Sequence, residues 1–130
     1  MQLVLDTNVV VSAFINPAGT PSQILKLVLQ GKAKLIINTS ILMEYEKVMA
    51  RPKFEGHIKL DLVHRFTGLL KTIGHSFEPL PSNIKLPDES DRIFYDTARS
   101  SDSLLISGNI KHYPKESFIM LPGDFLKKLR

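Results

Sequence analysis

The sequence predicts an α/β fold built on a parallel sheet that is covered on both faces. Three observations carry that prediction. Leu3-Val4-Leu5, Leu35-Ile36-Ile37 at the end of the segment Ala33 to Ile37, and Leu104-Leu105-Ile106 are continuous apolar runs, short enough for strands and without the polar alternation of a half-exposed one. Between them lie longer segments whose apolar residues recur at helical spacing. The connections are short, and no repeat, low-complexity tract or long linker divides the 130 residues, so one domain over residues 1–130 is expected.

The first strand, Leu3 to Leu5, stops at Asp6. Asp6, Thr7 and Asn8 are all good helix N-caps, and the apolar segment Val9-Val10-Val11, Ala13, Phe14 and Ile15 follows at once. Asp6 therefore has two readings. It is either a cap or an acid at the carboxyl end of a strand, where open parallel sheets collect their ligands. Asn16 to Pro21 is dense in turn formers, and Ser22 is expected to cap a helix carrying Ile24, Leu25, Val28 and Leu29, ended by Gly31. Ala33 to Ile37 is the second strand. Asn38, Thr39 and Ser40 supply a cap for a helix marked by Ile41, Leu42, Tyr45, Val48 and Met49, which runs up to Arg51-Pro52.

Pro52 to Gly56 breaks the chain, and Leu60 to Ile73 forms a long amphipathic helix closed by Gly74. Ser76 to Leu80 is expected as a strand with Phe77 and Leu80 as its apolar content, followed by a proline-bearing loop to Pro87. Asp88-Glu89-Ser90-Asp91 opens a helix through Ile93, Phe94 and Ala98, before the strand Leu104–Ile106. Phe118 to Leu121 is the last strand, and Pro122-Gly123 leads into a terminal helix with Phe125, Leu126 and Leu129.

Composition narrows the function classes. A hydrophobic content of 43% with 23% charged residues is globular rather than disordered. No segment has membrane-spanning length, and Met1-Gln2 offers no basic n-region of a signal peptide, so a cytoplasmic location is expected. Without cysteine, any metal must be held by oxygen or imidazole. The formal charge of +4 favours an anionic partner, and the basic residues cluster as Lys47, Arg51 and Lys53, as Lys111, His112 and Lys115, and as Lys127, Lys128 and Arg130. Each cluster reads equally as a solvated face. The four histidines show no HxH or HExxH spacing, which argues against zinc, although His112 stands between Lys111 and Tyr113 where it would meet a phosphate or a base. GxSxG, Walker and GxGxxG motifs are all missing from the sequence, which removes support for acyl transfer, P-loop nucleotide hydrolysis and dinucleotide binding.

Acids stand at or near several element ends: Asp6, Glu44, Asp91 and Asp96. Each has a bland role available, Asp91 beside a helix N-terminus and Glu44 on a solvated helix face. Helical geometry does not separate Glu44 from Glu46. If several of these carboxylates converge, their repulsion requires a cation, and hard oxygen ligands suit Mg²⁺ or Mn²⁺ with water completing the shell.

Four stretches together carry a family likeness. Leu-Asp-Thr-Asn after the first strand, Ser-Ile-Leu-Met-Glu-Tyr-Glu in the third helix, Asp-Glu-Ser-Asp-Arg-Ile-Phe-Tyr-Asp-Thr-Ala and Leu-Ile-Ser-Gly-Asn-Ile-Lys-His-Tyr-Pro resemble the PIN domain. The nearest likeness is to the toxin-like PIN proteins of prokaryotic toxin–antitoxin pairs, and it runs in order through nearly the whole chain. The resemblance implies a three-layer α/β/α sandwich and a metal-dependent endoribonuclease that uses water as nucleophile. It matches Asp6, Glu44 and Asp91 to the family's catalytic, metal-binding acids and Asp96 to an acid often found in this branch. It matches Asn8 to a residue orienting the first acid and Ser107 to the hydroxyl of the final motif. An RNA substrate, an antitoxin partner and a homodimer are further implications.

One position departs from the pattern. Many PIN sequences carry an acid where Asn109 stands, and an amide offers a neutral carbonyl oxygen instead. Asp96 is the acid available to compensate. The alternative is a catalytically inactive PIN scaffold that binds RNA or protein. A phosphatase using Asp6 as covalent nucleophile ranks lower, because it wants a second Asp where Asn8 stands.

Overall fold

The computed structural model describes residues 1–129; Arg130, the last member of the terminal basic cluster, lies outside the described residues. Five strands, β1 (Gln2–Leu5), β2 (Lys34–Ile37), β3 (His75–Ser76), β4 (Leu104–Ile106) and β5 (Ile119–Met120), pair in the order β3-β2-β1-β4-β5. Every pair is parallel. The helices are α1 (Thr7–Ile15), α2 (Thr20–Leu29), α3 (Thr39–Met49), α4 (Leu60–Ile73), α5 (Arg92–Ser100) and α6 (Pro122–Lys128). Leu3, Val4 and Leu5 are each 0% exposed. Successive strand residues face opposite sides of a sheet, so burial of all three requires cover on both faces, and the three-layer α/β/α arrangement is the one found. Leu35 to Ile37 and Leu105-Ile106 are buried in the same way.

Aromatic contacts lock the helices together. Tyr45 of α3 stacks on Phe94 of α5 with ring centroids 6.1 Å apart, and Phe14 of α1 meets Phe66 of α4 edge-on at 4.9 Å. The Tyr45 hydroxyl also donates to the Leu5 carbonyl at 2.7 Å, which ties α3 to the end of the central strand.

Local chemistry explains where the elements depart from expectation. Helix α2 starts at Thr20 with Gly19 as its N-cap, two residues before Ser22, because Pro21 favours the first turn and lacks only an N–H that would go unused there. Ser22 is consequently buried inside the helix. Gly31 closes α2 at φ +75°, a left-handed conformation that residues with a side chain rarely adopt. Strand β3 covers His75–Ser76 rather than Ser76 to Leu80. The Phe77 N–H still donates to the Ile37 carbonyl at 2.9 Å, but Pro79 and Pro81 have no N–H to offer a ladder, and Leu80 is 74% exposed. Ahead of α5, residues Glu89–Asp91 form a 3₁₀ turn, with Asp88 accepting from the Ser90 N–H. The terminal helix stops at Lys128, so Leu129 is not part of its buried stripe.

Asn38 is the joint among three of these pieces. It is buried after β2, accepts from the Ile41 N–H at 2.9 Å as the α3 cap, and donates to Thr97 Oγ1 of α5 at 3.0 Å and to the Phe77 carbonyl at 3.2 Å. Replacing it removes a cap and leaves the Phe77 carbonyl without that donor. Asn38→Ala is expected to lower the unfolding free energy by about 2–4 kcal/mol. Urea denaturation checks this, and a loss below about 0.5 kcal/mol contradicts the role assigned to Asn38.

Candidate functional site

The strand order reverses between β1 and β4, since β2 and β3 lie on one side of β1 while β4 and β5 lie on the other. Such a switch point leaves a crevice outside the carboxyl ends of the strands. Leu5 pairs with Ile106, so Asp6 and Ser107 are the first residues beyond the ladder and stand side by side. The Asp6 backbone occupies the N-cap position of α1, yet its side chain makes no capping hydrogen bond. Both sequence readings of Asp6 therefore hold in part. The main chain caps, and the carboxylate is free for other work.

That carboxylate is only 4% exposed, and buried charge needs partners. Two hydroxyls provide them, both at Oδ2: Ser107 Oγ donates at 2.8 Å and the Tyr113 phenol at 2.7 Å. Among the described residues, no donor reaches Oδ1. Ser107 in turn accepts from the Asn109 N–H at 3.0 Å and from Asn8 Nδ2 at 3.4 Å, while Asn8 Oδ1 accepts from the Gly108 N–H at 2.8 Å. Asn8 thus acts on Asp6 through Ser107. A Cβ on Gly108 would lie 3.2 Å from Asn8 Oδ1, so glycine permits this approach. Burial, followed by the nearby Asp6 charge, pushes the Tyr113 phenol far above its ordinary pKa and keeps it a donor.

A cleft of about 360 Å³ opens over this point. Asp6, Glu44 and Asp91 line it, together with Asn109 and His112. Glu46, which the sequence could not separate from Glu44, turns to α4 and meets His64 Nδ1 at 2.8 Å. Asp96 is not brought to the cleft. Its carboxylate is buried, accepts from Ser82 Oγ at 2.5 Å and the Ser82 N–H at 3.2 Å, and borders a separate hollow beside Pro79 and Pro81. It lies within α5, five residues beyond Asp91, which ends the 3₁₀ turn ahead of that helix. Asp96 therefore does not supply the charge that Asn109 lacks.

The cleft is unbalanced in charge. The Asp91 carboxyl, with its side chain 14% exposed, is raised to a pKa of about 6, first by burial, then by the Asp6 and Asp88 charges, with His112 opposing. His112 Nδ1 lies 3.5 Å from Asp91 Oδ2, an ion-pair distance, but among the described residues that oxygen has no hydrogen-bond partner. Thr7 Oγ1 is a second buried, unpartnered polar atom, and Thr7 lines the same cleft. Buried polar atoms without partners are uncommon, and two facing one cleft mark a place where a ligand or water belongs.

Among the described residues, no three His, Asp or Glu side chains close tightly enough to form a metal cage. The donor set nevertheless fits Mg²⁺ or Mn²⁺, because such ions commonly take one or two carboxylates and keep several waters. Among the described residues, Asp6 Oδ1 and Asp91 Oδ2 are the oxygens without a hydrogen-bond donor, and Glu44 lines the same cleft. Arg51, Lys53 and Phe54 line the same cleft, with the Lys53 ammonium 5.1 Å from the centre of the Phe54 ring. Part of the mid-chain basic cluster thus shares the cleft with the acids. Tyr113 is the site residue that sequence reasoning did not single out, because only its burial separates it from the exposed Lys111 and His112.

Comparison with known proteins returns one family description, PIN domain, matched over residues 2–111. An uncharacterized protein of Methanocaldococcus jannaschii is 28% identical over 110 residues, covering 84% of this chain and 71% of that protein. Among solved structures, VapBC2 from Rickettsia felis, bound to a DNA fragment from their promoter, matches with TM-score 0.57 at 15% identity, covering 93% of this chain and 97% of that one. VapBC-1 from nontypeable Haemophilus influenzae matches with TM-score 0.53 at 16% identity, covering 86% and 90%. Identities this low speak to the fold.

The Asp91 carboxyl makes the site sensitive to pH. A folded-state pKa raised to about 6 means that this group favours folding below its unfolded value near 4 and that the contribution is lost as pH rises through about 6. Without divalent ions, Asp91→Asn is expected to unfold at a higher temperature than the parent at pH 7. The difference should vanish below about pH 4. Thermal scans across that range check the prediction, and an advantage independent of pH contradicts it.

Proposed function

This chain belongs to the PIN domain family, and we propose on that premise that it is a metal-dependent endoribonuclease, the toxin component of a toxin–antitoxin pair. One observation carries the reading: Asp6, Glu44 and Asp91, remote in sequence, line one cleft that Arg51 and Lys53 line as well. Like charges brought together in a half-buried site favour a cation between them, and the basic residues favour a polyanion. Asp6, Glu44 and Asp91 would hold Mg²⁺ or Mn²⁺, and Asp96, held by Ser82, lies outside that set. When bound, the ion lowers the pKa of a water and offsets charge on the scissile phosphate.

The remaining work falls to the chain itself. Arg51 and Lys53 draw the phosphate backbone toward the acids, and Phe54 gives a base an apolar ring to lie against. Ser107 fixes the plane of the Asp6 carboxylate, and Asn8 fixes Ser107. RNA as substrate and an antitoxin as partner rest on the family likeness, with the VapBC structures sharing the fold. On this reading the protein acts in the cytoplasm. Among the described residues, no helix is long and apolar enough to cross a membrane.

A second reading, an inert scaffold that binds RNA or protein, draws on the exposed amide of Asn109 at the cleft in place of an acid. The two readings separate in one experiment. Mn²⁺-dependent cleavage of an unstructured RNA should be abolished by Asp6→Asn, with the circular dichroism spectrum unchanged. Equal rates for Asp6→Asn and the parent would remove the nuclease reading, and a parent that binds RNA but neither Mn²⁺ nor Mg²⁺ would favour the scaffold.

A further inference from the structure

We infer that Tyr113 is a positioning residue, whose phenol, together with Ser107, turns Asp6 so that a single carboxylate oxygen, Oδ1, is presented to a divalent cation. The inference rests on the metal-dependent reading above. Tyr113 is 7% exposed and follows the 3₁₀ turn Ile110–His112, which carries His112 to the cleft. The chain then folds inward, and the phenol reaches Asp6 Oδ2 at 2.7 Å.

The geometry distinguishes the two oxygens of one carboxylate. Oδ2 accepts from both Tyr113 and Ser107, two donors on the one oxygen that a cation would otherwise share. Ser107 cannot do this alone with the same rigidity. It is one short side chain on a loop and shares its oxygen with the Asn109 N–H and Asn8. Tyr113 reaches the same oxygen from six residues on, so two anchors separated along the chain hold the carboxylate against rotation. Partners that orient a ligand in this way typically contribute about 10-fold or more to metal affinity.

Tyr113→Phe keeps the ring and removes only the hydroxyl, which makes it the decisive variant. Mn²⁺ binding is to be followed by the electron paramagnetic resonance of the free ion for the parent, Tyr113→Phe, Ser107→Ala and Asp6→Asn. The titrations are done in the cold, where circular dichroism verifies that each variant is folded. The parent should bind and Asp6→Asn should not. Tyr113→Phe should bind about 10-fold more weakly, and the Mn²⁺ concentration for half-maximal cleavage should rise in proportion while kcat at saturating Mn²⁺ changes little. Ser107→Ala, which strips the same oxygen, should weaken binding in the same direction. A Tyr113→Phe affinity within about two-fold of the parent, with Asp6→Asn still abolishing binding, overturns the role of Tyr113 and leaves the nuclease reading intact. A parent that binds no Mn²⁺ overturns both.

Discussion

A carboxylate ending the central strand, nearly sealed from water, is the constraint around which the rest of the molecule is arranged. A buried charge without partners is costly enough to be neutralised or expelled, so Asp6 requires donors at fixed places. Its donors come from over a hundred residues later in the chain, at Ser107 and Tyr113. Meeting that demand requires β4 to lie directly beside β1 and the loop after β4 to return across the end of the sheet. The reversal of strand order at β1 is therefore tied to a local electrostatic need as well as to core packing.

The other acids arrive by independent routes. Glu44 is carried by a helix whose cap, Asn38, also grips α5, and Asp91 sits at the start of α5 itself. Errors in one placement are passed to the other through that shared joint. The cleft is consequently a meeting of rigid elements, and its basic residues come from the short break after α3, where Arg51 and Lys53 flank Pro52. Acids on stiff supports beside cations on a turn is an arrangement that keeps geometry strict at the reacting centre and more tolerant where the polymer is held.

Most of the architecture was legible in the residues because burial on both strand faces leaves an unbroken apolar run, and the runs at β1, β2 and β4 are of that kind. The short third strand was overextended because Phe77 and Leu80 outweighed the warning in Pro79 and Pro81. Asp6, Glu44 and Asp91 could be nominated by type and place, but only folding separated Glu44 from Glu46, since the choice is made by His64 on another helix. Asp96 was nominated by place and by likeness, and Ser82 in an irregular loop claims it. Tyr113 carried no signal that distinguished it from its exposed neighbours. A buried phenol is recognised by what surrounds it, and that information is tertiary.

Arg92 shows how an irregular tract can be given a definite shape. Its guanidinium donates to the Ser82 carbonyl and hydroxyl at 3.0 Å each, reaches the Ile84 carbonyl, and is itself held by Glu89 at 2.6 and 2.9 Å. The residue immediately after Asp91 is thus the fastening point for the proline-bearing segment between β3 and α5. An insertion or deletion between Ser82 and Glu89 therefore pulls on the start of α5. Circular permutation or loop grafting in this protein should respect that length, because the segment looks like a passive tether and behaves as a ruler.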